Sequence, residues 1–168
     1  PERLDVQIPY ETAGLRQTVS DTVGIGGIMK GLRTIPVMLD IARDMEVRCP
    51  EAVMLNYTNP MAMIMWAIHQ ATSISAVGLC HSVQGTSKQL SNYMQVDYEQ
   101  MRYRTAGINH MAWFLDLSLS GEDLYPWLKD CLNDPEIFKK DPVRFEIFKH
   151  FGYFVTESSR HMAEYIPY

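Results

Sequence analysis

Hydrophobic positions in the first hundred residues follow two different periods. Apolar side chains recur at helical spacing over residues 28–48, where Pro36 predicts a kink or a break. Short continuous apolar runs at residues 52–55 and 74–79 instead predict buried strands of a parallel sheet. The chain therefore passes from helix to strand and back within this stretch.

Each predicted strand is followed by a second helical pattern. Pro60 suits the start of a helix that runs to about residue 70, and Ser82 is expected to cap a helix over residues 82–94. Strand–helix–strand–helix is the order of a doubly wound, Rossmann-like α/β sheet.

The pattern changes after residue 100. Residues 101–105 and 111–119 predict strands, because they are rich in β-branched and aromatic side chains, and helices are expected near residues 123–132 and 142–150. We therefore predict two domains. Residues 1–105 form the later part of a Rossmann-like domain, and residues 106–168 begin an α+β domain.

The chain begins with a polar stretch that we expect to be extended up to about Asp21, with a turn at Gly14. Residues 21–27 are glycine-rich and predict a loop. This loop is similar to a phosphate cradle only in part, because it lacks the complete glycine pattern and no strand precedes it in the chain.

Charge and composition exclude several partners. The net charge is -5 and no basic stripe is present, which argues against nucleic acid and anionic membranes. No apolar run reaches the roughly 20 residues of a membrane helix. Three cysteines are too few, and odd in number, for a disulfide scaffold, so we expect a cytoplasmic protein. Both ends look cut, which predicts an internal piece of a longer chain.

Polar residues fall where the predicted strands end. Asn56 and Asn59 follow the first strand, Cys80 and His81 follow the second, and His110 lies between the later strands. Ligands of open α/β sheets bind at such strand ends, and thiolate and imidazole are good metal ligands. Each residue also has a structural interpretation: a buried cysteine, a turn asparagine and a satisfied histidine. The pattern alone indicates only a Rossmann-like enzyme.

Several longer segments together resemble glycoside hydrolase family 4, in particular its NAD- and manganese-dependent α-galactosidases. These are residues 56–63 (NYTNPMAM), 78–85 (GLCHSVQG) and 107–111 (GINHM), with shorter matches at 21–24 and 156–159. The resemblance covers nearly the whole chain in the family's order. It implies a fold related to lactate and malate dehydrogenases.

The resemblance also implies a reaction that is an exception to glycoside hydrolysis by two carboxylates. NAD oxidises the sugar at C3, a base removes the C2 proton, and the glycosidic oxygen is eliminated. Water then adds at C1, and the hydride returns to C3. A divalent metal, often manganese, holds the C2 and C3 oxygens. The partner would be a small α-glycoside, and we expect the full-length enzyme to be a homo-oligomer.

Metal and sugar contacts can be carried over residue by residue. Cys80 and His110 match the metal ligands, Asn59 matches a substrate contact, and Asp21 is expected to face the sugar. Asn56 is assigned to the NAD site.

The resemblance implies two catalytic residues. Tyr165 is the candidate base, with Tyr168 as the second choice, and His81 occupies a position that separates the family's subfamilies. The family's dinucleotide fingerprint would precede Pro1, so residues 1–168 alone are expected to be inactive.

Two other functions stay open. The first lies within the family, as an α-glucosidase or α-galacturonidase. The second is a lactate- or malate-type dehydrogenase of 2-hydroxy acids, which would need a catalytic His–Asp pair and no metal cysteine.

Overall fold

A computed structural model of the chain describes residues 3–165. Its contacts divide into two compact units, Pro1–Cys80 and His81–Tyr168. The predicted domain boundary at residues 105–106 stays a prediction. Among the described residues, no helix combines the length and the apolar character needed to cross a membrane.

The first unit is built from helices around a small parallel sheet. A π-helical turn (Arg3–Gln7) leads into α1 (Ile8–Ala13) and the long α2 (Gly24–Arg48). Strands β1 (Val53–Asn56) and β2 (Ser75–Gly78) then alternate with α3 (Met61–Ala71). The strands pair in parallel, with Asn56 opposite Gly78 at their carboxyl ends. This is the predicted α/β order.

The core of the first unit lies between α2, α3 and the strand pair. Its buried members are Ala42, Met54, Ile64, Met65, Ile68 and Ile74. Helix α2 continues through Pro36, so the helix does not break there, and the predicted alternative of a kink stays a prediction. Ile35 and Met38, on either side of Pro36, pack against the core and hold the helix on both sides of the missing backbone hydrogen bond.

The expectation of an extended N-terminal stretch is also wrong, because residues 3–13 are helical. Tertiary contacts explain the difference. Asp5 is buried, and Arg33 Nη2 on α2 lies 2.8 and 2.7 Å from its two carboxylate oxygens. Gly14 ends α1 at a φ of 66°, which fits the turn predicted there.

Strand β1 is less buried than its apolar sequence predicts. Met54 and Asn56 are buried, whereas Val53 and Leu55 are exposed. The expectation of a fully buried strand is therefore wrong, since the two described strands are covered on one face only.

The second unit combines α4 (Ser82–Met94) with a four-stranded antiparallel sheet. The sheet consists of β3 (Met101–Ile108), β4 (Met111–Leu119), β5 (Glu122–Asp123) and β6 (Phe154–Val155). Strand β4 pairs with the other three. Helices complete the unit: α5 (Tyr125–Asp130), α6 (Pro135–Phe138), α7 (Pro142–Phe151) and α8 (Ser159–Tyr165). A 3-10 turn, Cys131–Asn133, joins α5 to α6.

The core of the second unit contains residues of α4 together with the sheet and α7. Leu90 and Met94 cluster with Met101, Phe114 and Phe148. Ser82 does not cap α4 as predicted. His81 occupies the N-cap position with helical backbone angles, so Ser82 is the first helical residue.

Candidate functional site

The first group of predicted site residues lies in the first unit, after β1. Asn59 Nδ2 donates a hydrogen bond of 3.0 Å to Asp21 Oδ2, and Thr22 Oγ1 donates one of 2.9 Å to Asp21 Oδ1. Asn59 Oδ1 accepts from Met61 N at 3.3 Å, and the Asn59–Pro60 peptide is cis. The structure therefore brings the two predicted substrate contacts, Asp21 and Asn59, into direct contact.

Asn56, predicted for the NAD site, is buried beneath the same turn. Its Oδ1 accepts from Thr58 N at 2.9 Å, and its Nδ2 donates to Thr58 O at 3.3 Å. These two bonds hold the backbone of the turn that follows β1. The contact of Asn56 with NAD stays a prediction.

The expectation of a loop at residues 21–27 is wrong in its second half, because residues 24–27 form the first turn of α2, and this turn packs tightly against the residues before it. A Cβ on Gly26 would lie 1.5 Å from Ser20 Oγ, and one on Gly27 would lie 2.8 Å from the carbonyl carbon of Thr22. The amide of Gly26 already donates to Gln17 Oε1 at 3.0 Å. This helix start is therefore shaped by close backbone packing and by Gln17, which weakens its likeness to a phosphate cradle.

Cys80 and His81 follow β2. Cys80 is half-buried, and His81 is exposed at the start of α4. Leu79 N donates to Asn56 O at 2.8 Å, which fixes the chain just before Cys80. The strand end therefore positions the predicted metal thiol.

His110 lies in the second unit, in the two-residue turn between β3 and β4. Its side chain is buried, and its backbone φ of 59° is uncommon for a non-glycine residue. Both amide atoms of its neighbour Asn109 are buried and make no hydrogen bond within residues 3–165. Strained backbone and unsatisfied polar atoms cluster at functional sites.

Pairing of β6 with β4 brings Glu157 to His110. Val155 pairs with Trp113, and Thr156 N donates to Ala112 O at 2.9 Å. Because the strands are antiparallel, the next residue, Glu157, reaches the turn that carries His110. The distance between His110 Nε2 and Glu157 Oε2 is 3.4 Å, and both side chains are buried.

A second histidine completes this cluster. His161, in α8, has its Nδ1 3.5 Å from Glu157 Oε1 and 3.0 Å from Ser158 Oγ. The imidazole rings of His161 and His110 meet edge to face, with centroids 4.9 Å apart. Glu157 therefore has one imidazole near each of its oxygens.

Tyr165, the predicted base, is the last residue of α8, one helical turn beyond His161. Tyr168, the second choice, lies outside the described residues.

The sequence motifs assigned no role to Glu157 or His161. Glu157 belongs to the segment 156–159 that resembles the family, and its i,i+4 spacing with His161 could have indicated a shared face of a helix start. Their proximity to His110 depends on the pairing of β6 with β4, which no local pattern predicts.

Two family descriptions match the chain. "Family 4 glycosyl hydrolase" matches residues 2–96, and "Family 4 glycosyl hydrolase C-terminal domain" matches residues 105–168. An α-galactosidase of Bacillus subtilis is 52% identical over 98% of the chain, and an α-galacturonidase of Thermoanaerobacterium saccharolyticum is 34% identical over 97%. The chain spans 38% and 40% of these two relatives.

Several solved structures are also similar to the chain. The lplD protein of Bacillus subtilis, described as a glucosidase, is 32% identical, with a TM-score of 0.85 over 98% of this chain and 43% of its own. A 6-phospho-α-glucosidase from gut microorganisms, solved with NAD and Mn²⁺, has a TM-score of 0.77 at 22% identity, covering 97% of this chain and 40% of that one.

Likeness to the dehydrogenases concerns the fold alone. Malate dehydrogenase of Plasmodium falciparum has a TM-score of 0.56 at 16% identity, over 90% of this chain and 51% of its own. The predicted Rossmann-like relationship is therefore confirmed. Two family descriptions that together match nearly all of residues 2–168 show that the chain belongs to family 4 of the glycosyl hydrolases.

Proposed function

We propose that the protein carrying this chain hydrolyses α-galactosides by NAD-dependent oxidation at C3, removal of the C2 proton and elimination of the glycosidic oxygen. The choice of sugar is supported by the 52% identity to an α-galactosidase over almost the whole chain. The use of a metal in this reaction is supported by the buried His110–Glu157 pair, because imidazole and carboxylate groups both bind metal ions.

The side chains present suit a divalent metal. Within the second unit, His110 and Glu157 offer an imidazole and a carboxylate. Glu157 Oε2 is buried and accepts no hydrogen bond within the described chain, so a cation there would compensate its charge. We assign Cys80 and His110 as ligands, as the resemblance implies.

When bound, NAD would carry the hydride of C3, and the metal would polarise the C2 and C3 oxygens. The 6-phospho-α-glucosidase of similar fold was solved with both groups. Asn56 is assigned to the NAD site because it ends β1, at the edge of the sheet where dinucleotides bind in this fold.

Asp21 and Asn59 would bind sugar hydroxyl groups. Their mutual hydrogen bond orients the carboxylate and the amide together. A carboxylate accepts and an amide both donates and accepts, so the pair can recognise hydroxyls in a fixed orientation. Orientation of the sugar contributes to rate as well as to affinity.

Proton transfer is assigned to Tyr165 and His81. Tyr165, as the base, would remove the C2 proton, which the ketone at C3 acidifies. His81, exposed at the start of α4, would donate a proton to the leaving glycosidic oxygen. Imidazole is the side chain most often used for such transfer.

The alternative sugars are glucose and galacturonate. The 34% identity to an α-galacturonidase supports galacturonate as the alternative. The 16% identity to malate dehydrogenase supports only a shared fold, so no observation favours dehydrogenase activity.

Substrate preference tests the proposal directly. The complete enzyme, supplied with NAD, Mn²⁺ and a thiol reductant, should hydrolyse an aryl α-galactoside at a higher kcat/KM than the α-glucoside or α-galacturonide. A chelator should abolish this activity and Mn²⁺ should restore it. Full activity without NAD and metal would contradict the proposed chemistry, whereas preference for another sugar would correct only the substrate.

A further inference from the structure

The two oxygens of the Glu157 carboxylate have different surroundings. Oε1 accepts a hydrogen bond of 3.1 Å from Ser158 N and lies 3.5 Å from His161 Nδ1. Oε2 is buried, accepts no hydrogen bond within residues 3–165, and lies 3.4 Å from His110 Nε2. Only one of the oxygens is therefore satisfied by hydrogen bonds.

An unsatisfied carboxylate oxygen is costly in this position, because the side chain is only 7% exposed. Hydrogen bonds from nitrogen to oxygen usually span about 2.7–3.2 Å, so the contact with His110 Nε2 is long for one. Two ligand atoms bound to one metal at about 2.1 Å each lie about 3.0–3.5 Å apart. The observed spacing therefore suits a shared cation better than a direct hydrogen bond.

Backbone hydrogen bonds and turn geometry fix the positions of Glu157 and His110. Thr156 is held between two partners, since its N donates to Ala112 O at 2.9 Å and its O accepts from Thr86 Oγ1 at 2.5 Å. His110 is held in its turn with a φ of 59°. A site whose side chains are placed in advance loses less entropy when it binds an ion.

We propose that Glu157 is a third protein ligand, through Oε2, of the metal ion bound by His110. This inference rests on the proposed function. His161 acts as a positioning residue, because it lies against Oε1 and directs the other oxygen towards His110. Such outer partners orient metal ligands in many sites.

A carboxylate ligand changes what the bound ion can do. It lowers the net charge of the centre relative to a site with only a thiol and an imidazole. It also occupies a coordination position that water would otherwise take. Both effects can be measured on the bound ion without any turnover.

The test uses Mn²⁺ and the complete enzyme, purified without metal. Calorimetry gives the Kd for Mn²⁺, and water proton relaxation gives the number of waters on the bound ion. Glu157→Ala should raise the Kd at least about a hundredfold, the upper end of what loss of an outer partner costs. It should also add one exchangeable water to the ion. Glu157→Gln, which preserves the shape, should raise the Kd in the same direction.

Glu146→Ala is the matched control, since this glutamate is exposed on α7 and pairs with Lys149 at 3.6 Å. It should leave both readouts unchanged. A Kd within threefold of the unaltered enzyme, or an unchanged number of waters in both Glu157 variants, would overturn the assignment of Glu157 as a ligand. If His110→Ala also left Mn²⁺ binding unchanged, the proposed metal site itself would fail.

Discussion

Asn59 and Asp21 are joined by a 3.0 Å hydrogen bond from the amide Nδ2 to the carboxylate Oδ2, although they are 38 residues apart. The bond connects the turn after β1 to the loop before α2. Two predicted sugar contacts are therefore joined by a direct hydrogen bond. Replacing the amide nitrogen of Asn59 by an oxygen tests what this bond contributes.

Asn59→Asp should destabilise this turn and reduce activity. The substitution replaces the donor by a second carboxylate facing Asp21, so a hydrogen bond is lost and two negative charges repel each other. We expect a loss of about 1–3 kcal/mol in the free energy of unfolding, with a higher KM. Thermal unfolding and steady-state kinetics measure the two effects. The control is Asn92→Asp, which places the same new charge at an exposed position on α4 and should change neither.

Cys80→Ser should cut kcat/KM at least about a hundredfold, because a hydroxyl replaces a soft thiolate as a metal ligand. Mn²⁺ affinity, measured by calorimetry, should fall in parallel. Cys49→Ser serves as the control, since Cys49 is exposed at the end of α2. If Cys80→Ser kept normal Mn²⁺ affinity and turnover, Cys80 would not be a ligand.

Arg144 is the centre of a buried polar network in the second unit. Its guanidinium donates to Asp141 Oδ1 at 3.0 Å, to Thr86 Oγ1 at 2.7 Å and to Gln89 Oε1 at 2.7 Å. Arg144→Met should destabilise the protein by about 3–5 kcal/mol, since it leaves Asp141 buried without its cation. Chemical denaturation measures the loss.

The matched control for this prediction is Arg104→Met. Arg104 pairs with Asp116 across β3 and β4, but both side chains are more than half exposed. An exposed ion pair contributes about 0–1 kcal/mol, so this variant should unfold almost like the unaltered protein. Equal losses in the two variants would show that burial of the Arg144 network does not determine its contribution.

Tyr125 should make stability sensitive to alkaline pH. Burial raises the pKa of Tyr125 from its ordinary value to about 12, and its hydroxyl donates to Phe114 O. In the unfolded chain the phenol loses its proton near pH 10, before the folded protein does. Stability is therefore fully present below about pH 10 and is lost as the pH rises towards 12.

Tyr125→Phe should reduce this loss of stability between about pH 10 and 12, because it removes the titrating phenol. Tyr10→Phe is the control, since Tyr10 is 51% exposed and lies in the first unit, away from Tyr125 in the chain. Denaturant unfolding at several pH values gives the comparison. The same pH slope in the Tyr125 variant and the unaltered protein would contradict the assigned origin.

Local patterns predicted much of the fold. Helix α4 and strand β4 begin and end where the sequence places them, because each has a clear period and a clear boundary. The N-terminal helices were missed, since Asp5 is held by Arg33 from a different part of the chain. The exposure of Val53 and Leu55 was missed because apolar composition does not reveal how many faces of a strand are covered.

Local sequence patterns also predicted only part of the candidate site. Motifs predicted Asp21, Asn59 and His110 as site residues. Glu157 was missed because it reaches His110 through the pairing of β6 with β4, whose partner residues lie 40 or more positions apart in the chain. Local sequence carries little information about such pairing.

The most direct test of the proposed chemistry is the isotope content of the sugar released in D₂O. The complete enzyme, with NAD and Mn²⁺, would hydrolyse an aryl α-galactoside, and NMR would locate deuterium in the product. Removal of the C2 proton and its return from solvent should place deuterium at C2, and Tyr165→Phe should slow this incorporation while leaving Mn²⁺ affinity unchanged. Galactose released with no deuterium at C2 would contradict elimination as the route of hydrolysis.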